Sequence, residues 1–139
     1  MLSTGTASTR LKELIIVRTS PVNGTPYCLA GHTILAQRLG WTDEQLAHLA
    51  DWPRRGDFTP AEKAALRLAE TVTRDASSVA HAQWPELRGF YSEGQVVELL
   101  CAIGLFNSFN RFKNAVRMEP TKPGEGGCAT LEVEKAAAS

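Results

Sequence analysis

The sequence predicts an all-α protein, and two observations support this prediction. Alternating β-branched runs between turn residues, which mark strands, are missing from the chain. Apolar residues recur instead at helical spacing in four or five segments, three of which begin with a capping box. With 139 residues the chain fits one domain, which we expect to be a compact helical subunit.

The first two predicted helices are separated by a short turn. The first spans about Thr9 to Thr19, and Pro21 is expected to end it. Asn23-Gly24 is a turn dipeptide. The second helix is predicted from Thr25 to Leu39, with the Thr25 hydroxyl as its N-cap and Pro26 at its first position.

Three later helices are predicted to begin at capping boxes, in which a hydroxyl and an acid or amide side chain satisfy each other's backbone donors. The boxes are Thr42 with Gln45, Thr59 with Glu62, and Ser92 with Gln95. A short helical turn is also expected around Pro85.

The last predicted helix, residues 93–117, carries apolar side chains over much more than the ~100° stripe of a surface helix. We therefore expect a second subunit to cover part of it, in a homo-oligomer. After Met118 the apolar periodicity ends. The predicted organisation is a flexible N-terminus over residues 1–8, a helical domain over 9–118, and a C-terminal arm or disordered tail over 119–139.

Charge and hydropathy argue against several classes of function. Fifteen Lys and Arg residues balance fifteen Asp and Glu residues without a long block of either sign, so neither nucleic acid nor an anionic membrane is the expected partner. The N-terminus lacks a secretory signal, and the apolar runs fall far short of the ~20 residues of a membrane span. We expect a cytoplasmic protein that acts on a small molecule.

The stretch TPYCLAGH, residues 25–32, contains the candidate reactive group. Cys28 falls in the first turn of the second predicted helix, where free N–H groups and the helix dipole favour a thiolate. His32 lies four residues later on the same face and can accept the thiol proton directly or through one water. Glu13, an acid inside the apolar stretch LKELIIV, is the candidate acceptor that orients His32.

Other interpretations stay open at this point. Cys28 and His32 fit two ordinary core residues, and Glu13 fits a solvated helix acid. A metal site is not expected, because the other histidines and cysteines lie at no recognised ligand spacing. Cys101 fits helix packing, and Cys128 falls in the predicted tail. Asn107 and Arg111, four residues apart, face either a pocket or solvent.

Residues 13–32, ELIIVRTSPVNGTPYCLAGH, resemble the signature of the alkylhydroperoxidase D and carboxymuconolactone decarboxylase superfamily. In that signature a glutamate, a Cys-x-x-Cys pair after an Asn-Gly-type turn, and a histidine follow in this order. The runs GWTDEQL, FTPAEKAALRLAE and NSFNRF are similar to the same family, so the resemblance covers about residues 10–119.

The resemblance implies an all-helical subunit built around a helical hairpin, which forms trimers or hexamers with the pocket near the subunit contacts. It implies that Cys28 is the more reactive second cysteine, His32 the proton relay and Glu13 the start of that relay. Thr25 departs from the pattern, because it stands where the first cysteine would be. Thr25 and Tyr27 are the candidate substrate-binding residues.

The leading functional hypothesis is a one-cysteine, thiol-dependent enzyme that reduces hydroperoxides and depends on an external thiol reductant. The first alternative is a non-redox acid–base enzyme, a decarboxylase, lyase or isomerase, which acts on a small organic acid or lactone through His32 and Glu13. The second alternative is an inactive relative that only binds. None of these hypotheses calls for a metal or a cofactor.

Overall fold

The structure, a computed structural model, describes residues 2–119, which form six α-helices without a strand. The helices are α1 (Thr9–Val22), α2 (Pro26–Arg38), α3 (Asp43–Ala47), α4 (Pro60–Asp75), α5 (Gln83–Phe90) and α6 (Glu93–Ala115), and short 3-10 helices span Leu49–Arg54 and Ala76–Ser78. The predicted all-α class is therefore confirmed. None of these helices is both long enough and apolar enough to cross a bilayer. Residues 120–139 of the predicted tail, including Cys128, lie outside the described residues.

Local sequence signals place most helix starts correctly. All three predicted capping boxes form, at the starts of α3, α4 and α6. The predicted end of α1 was wrong, because the helix continues through Pro21 to Val22. Proline suits helical φ, and at this position it removes only one hydrogen bond of the last turn. The N–H of Asn23 still donates to the carbonyl of Thr19 at 3.1 Å.

Helix α1 lies at the centre of the fold. Every residue from Leu11 to Ser20 is buried, and α1 packs against α2, α4 and α6. Leu11 and Ile15 join an apolar cluster with residues of α4, α5 and α6. Leu14 and Val17 join a second cluster that includes Ala36 of α2 and three aromatic residues between α2 and α4, namely Trp41, Trp52 and Phe58. A helix enclosed in this way has no face on which a charged side chain can reach water.

The charged residues of α1 are paired with residues of other helices instead. Lys12 Nζ lies 2.9 Å from a carboxylate oxygen of Glu98 on α6. Arg18 forms an ion pair with Glu70 on α4. Burial raises the pKa of the Glu70 carboxyl, but hydrogen bonds from Trp52 and Arg18 outweigh burial and leave that pKa below its usual value. Each pair satisfies a buried charge and fixes the position of a neighbouring helix.

Residues 2–8, which the sequence predicted as a flexible segment, contact the helices in the structure. Leu2 packs with Ile16 of α1 and Phe106 of α6. The N–H groups of Thr6 and Ala7 donate to the two carboxylate oxygens of Glu98, at 2.7 and 3.1 Å. Glu98 therefore joins the N-terminal segment, α1 and α6.

The Glu98 contacts give a testable acid dependence of stability. The Thr6 N–H, the Lys12 ammonium and the Ala7 N–H lower the pKa of Glu98 from 4.5 to about 2. Because the folded pKa is the lower one, the stabilisation is present above pH 4.5 and is lost as the pH falls towards 2. We expect Glu98→Gln to lower the free energy of unfolding at neutral pH and to flatten its decline in this acid range. Denaturant titrations at several pH values measure both effects.

Glu119→Gln is the matched control, because Glu119 is exposed beyond the last helix. An acid dependence of stability that is the same in both variants and in the wild type would contradict the assignment to Glu98.

Candidate functional site

The start of α2 places the candidate nucleophile. α2 begins at Pro26, so Cys28 lies in its first turn, where helix N–H groups have no partners within the helix. Cys28 is 1% exposed and His32, one turn later, is 4% exposed. Both side chains therefore point into the protein, where water competes little for their interactions.

Glu13 of α1 meets His32 of α2 inside the protein. Glu13 Oε2 lies 2.7 Å from His32 Nδ1, and the Glu13 side chain is fully buried. The His32 ring also packs at right angles to the ring of Phe106, with 4.8 Å between the ring centroids. Because Nδ1 is engaged by the carboxylate, Nε2 is the ring nitrogen that can exchange a proton with a bound molecule. Nε2 has no hydrogen bond to any described residue.

Lys113 of α6 is a functional candidate that the sequence analysis missed. Its Nζ donates to Cys28 Sγ at 3.2 Å. The same Nζ lies 4.5 Å from the centroid of the Tyr27 ring and 5.9 Å from that of Phe109, which adds cation–π attraction. A cation at this distance stabilises a thiolate. The only signal in the sequence is the seven-residue spacing from Phe106, which puts Lys113 on the same face of α6.

The hydrogen-bond partner of Cys28 is one that the sequence did not predict. Within residues 2–119 the sulfur bonds to Lys113, and no direct bond joins it to His32. The reason is geometric, since Glu13 and Phe106 together fix the plane of the His32 ring.

The Thr25 hydroxyl does not cap α2, so that prediction was wrong. Its ψ of 88° differs from the 160° of Ser92, whose side chain does cap a helix. The turn sets this conformation, because the Thr25 N–H donates to the carbonyl of Ser20 at 2.9 Å. The hydroxyl is buried, and no described residue bonds to it. Thr25 still precedes Cys28 by three residues and so lies close to the sulfur.

Further polar atoms around the site are buried without partners among the described residues. They are Glu13 Oε1 and both amide atoms of Asn110, which is completely buried. Asn110 follows Phe106 by four residues and precedes Lys113 by three, so all three share the face of α6 that meets α2. Unsatisfied buried polar groups cost about 1–3 kcal/mol each. Together with the Thr25 hydroxyl, they suit a small polar ligand.

Two other residues considered at the sequence level lie elsewhere. Asn107 accepts from Asn23 at 2.8 Å and donates to Thr73 at 3.2 Å, so it joins the α1–α2 turn to α4 and α6. Arg111 is exposed. The described part of the chain contains no group of three or more Asp, Glu, His or Cys side chains that could hold a metal ion.

The contact between Lys113 and Cys28 predicts how fast the thiol is alkylated. A hydrogen bond to a charged group contributes about 1.5–3 kcal/mol, so we expect Lys113→Met to slow alkylation of Cys28 by iodoacetamide at neutral pH by roughly tenfold or more. Lys113→Arg keeps the positive charge and should slow the alkylation of Cys28 much less. Rates are measured by mass spectrometry of the Cys28 peptide. Equal rates in wild type and Lys113→Met would show that the lysine does not activate the thiol.

Comparisons of sequence with known proteins give one family and two relatives. The model of the carboxymuconolactone decarboxylase family matches residues 1–71. The uncharacterized protein YdfG of Bacillus subtilis is 36% identical over 106 residues, which cover 76% of this chain and 72% of YdfG. The uncharacterized protein YnjA of Escherichia coli is 32% identical over 98 residues, which cover 70% of this chain and 51% of YnjA.

Solved structures share the fold. One is a protein of unknown function from Agrobacterium tumefaciens whose description names the antioxidant defence protein AhpD. It superposes with a TM-score of 0.81 at 24% identity, and the match covers 87% of this chain and 84% of that protein. Another is the debrominase Bmp8, whose cysteine-to-alanine variant was solved in complex with 2,3,4-tribromopyrrole. It superposes with a TM-score of 0.76 at 22% identity, and the match covers 86% of this chain and 64% of Bmp8. At these identities the likeness is one of fold. The family model, which matches half of the chain, and the 36% identity to YdfG show that the chain belongs to the carboxymuconolactone decarboxylase family.

Proposed function

We propose that this protein reduces hydroperoxides with Cys28 as its nucleophile, in a cycle that uses one cysteine of the chain. The observation that carries the proposal is the 3.2 Å contact between Lys113 Nζ and Cys28 Sγ. The ammonium and the start of α2 both favour the thiolate, which is the form that attacks a peroxide. A purely structural cysteine would not need a partly buried cation beside it.

The chemistry starts with attack of the Cys28 thiolate on one oxygen of the hydroperoxide. The O–O bond breaks, the sulfur becomes a sulfenic acid, and the leaving alkoxide takes a proton from His32 Nε2. Glu13 holds His32 by its Nδ1 and stabilises the protonated ring. An external thiol then attacks the sulfenic acid, water leaves, and a second thiol releases Cys28 from the mixed disulfide.

Substrate contacts are proposed for the polar groups that line the site. The Thr25 hydroxyl and the Asn110 amide are buried without partners among the described residues, so each can donate to an oxygen of the substrate. Tyr27 lies beside Lys113 and offers an aromatic wall. This combination suits a small hydroperoxide with an apolar substituent.

A second candidate function uses the same histidine without the thiol. Glu13 and His32 form a buried pair, and no direct hydrogen bond joins His32 to Cys28. Proton transfer on a small organic acid or lactone, as in a decarboxylase, lyase or isomerase, would need only this pair. An inactive binding relative would have neither activity.

The variants of Cys28 and His32 separate these functions. We expect consumption of cumene hydroperoxide with dithiothreitol to be lost in Cys28→Ser and reduced by about 10²-fold or more in His32→Gln, the usual range for loss of a general acid. Dimedone should label Cys28 after peroxide treatment of the wild type. Cys101→Ser is the control and should keep full activity, because Cys101 is exposed on α6. Peroxide turnover that survives Cys28→Ser contradicts the proposal, whereas lactone turnover that survives it favours acid–base chemistry.

The homo-oligomer, a trimer or hexamer, is also proposed, and exposed apolar side chains on α6 support it. Val97 is 57% exposed and Phe112 is 61% exposed. We expect Phe112→Glu to shift the protein towards monomers in sedimentation velocity, since a charge would be buried at the contact. Ala80→Glu, at an exposed position outside α6, is the matched control. A monomeric wild type would contradict this proposal.

A further inference from the structure

We propose that the Lys113 amine forms a covalent S–N bond with oxidised Cys28. The lysine would then replace the second thiol of a Cys-x-x-Cys pair as the group that reacts with the oxidised sulfur. The inference rests on the proposed function, because the sulfenic acid formed by peroxide is its starting point. The product is a sulfenamide, the class of bond that sulfenic acids form with nitrogen.

The two reacting atoms are already close. Lys113 Nζ lies 3.2 Å from Cys28 Sγ, within the roughly 3–3.5 Å separation at which reacting atoms are well placed. The rings of Tyr27 and Phe109 lie 4.5 and 5.9 Å from the same nitrogen and restrict its motion. A surface lysine would lose much more side-chain entropy to reach this position.

The fold keeps α6 in register with the turn before α2. Asn114 Nδ2 donates to the carbonyl of Asn23 at 2.8 Å, and Asn23 Nδ2 donates to Asn107 Oδ1 at 2.8 Å. These bonds lie on either side of Lys113 along α6. The contact between nitrogen and sulfur is therefore set by helix docking as well as by the lysine side chain.

No second thiol among the described residues can react with the oxidised sulfur of Cys28. Position 25 is threonine, and its hydroxyl cannot form a disulfide. Cys101 lies on α6, twelve positions before Lys113, which corresponds to about 18 Å along a helix. A sulfenic acid left without a partner is open to a second peroxide, which gives a sulfinic acid that thiols do not reduce.

The condensation balances without a further oxidant. The hydroperoxide has already oxidised the sulfur and left as an alcohol. Once the thiolate has been oxidised, the Lys113 ammonium releases one proton to the solvent. The neutral amine then attacks Sγ, the S–O bond breaks as the S–N bond forms, and the hydroxyl leaves with one N–H proton as water. A small thiol then attacks Sγ, which breaks the S–N bond and returns the amine, and a second thiol resolves the mixed disulfide to free Cys28 and a disulfide of the reductant.

Intact-mass spectrometry of the full chain tests the inference. All thiols except Cys28 are removed by Cys101→Ser and Cys128→Ser, and the protein is treated with an equimolar amount of cumene hydroperoxide. We expect a mass about 2 Da below that of the reduced protein, since condensation removes two hydrogens overall. Peptide mapping should join the Cys28 and Lys113 peptides, and dithiothreitol should reverse both changes.

Lys113→Arg in the same background is the matched control, because it keeps the charge but lacks a nucleophilic amine. It should give a product about 16 Da heavier that reacts with dimedone, and should reach the sulfinic acid at lower peroxide concentrations than the protein with Lys113. If Lys113→Arg forms this sulfenic acid but the protein with Lys113 forms no cross-link, the inference is overturned and the proposed function stands. A linked product about 14 Da heavier, with oxygen kept between nitrogen and sulfur, also overturns the condensation. If neither protein is oxidised at Cys28, the proposed function itself fails.

Discussion

The complete burial of α1 is the constraint on which the rest of the structure depends. Between Leu11 and Ser20 the helix has no exposed side, although it carries Lys12, Glu13 and Arg18. An unpaired charge in such a position would cost several kcal/mol, so each of these residues needs a partner from another element. Lys12 pairs with α6, Arg18 with α4 and Glu13 with α2. The neighbouring helices are therefore positioned by charge as well as by apolar packing.

The pair on α2 differs from the other two because it contains a histidine. Lys12 and Arg18 form ion pairs with the carboxylates of Glu98 and Glu70, and these pairs stabilise the packing of the helices. Glu13 instead holds His32, an imidazole with two ring nitrogens, through Nδ1 alone. Its second carboxylate oxygen and Nε2 of the imidazole have no hydrogen-bond partner among the described residues. The same burial that demands a partner for Glu13 thus creates a group suited to proton transfer.

Helix α6 forms the opposite wall of the site. Phe106 restrains the imidazole, Asn110 brings an unpaired amide, and Lys113 meets the sulfur. Replacement of the first cysteine of the motif by Thr25 removes the usual disulfide partner, and the structure offers an amine in reach of the same sulfur. The proposed peroxidase cycle and the proposed S–N bond both follow from this one contact between α2 and α6.

Sequence alone determined the helical class, the three capping boxes and the motif containing Glu13, Cys28 and His32, because these depend on neighbours within a few residues or on a recognisable pattern. It did not determine the passage of α1 through Pro21 or the uncapped hydroxyl of Thr25. The Asn23-Gly24 turn and the hydrogen bond from the Thr25 N–H to the Ser20 carbonyl decide the local backbone there. Nor could it place Lys113 or Asn110, which lie more than 80 residues from Cys28. Their role depends on which face of α6 points towards α2 when α6 packs against α1 and α4. Only tertiary packing decides that, because contacts between distant helices leave no local periodicity in the chain.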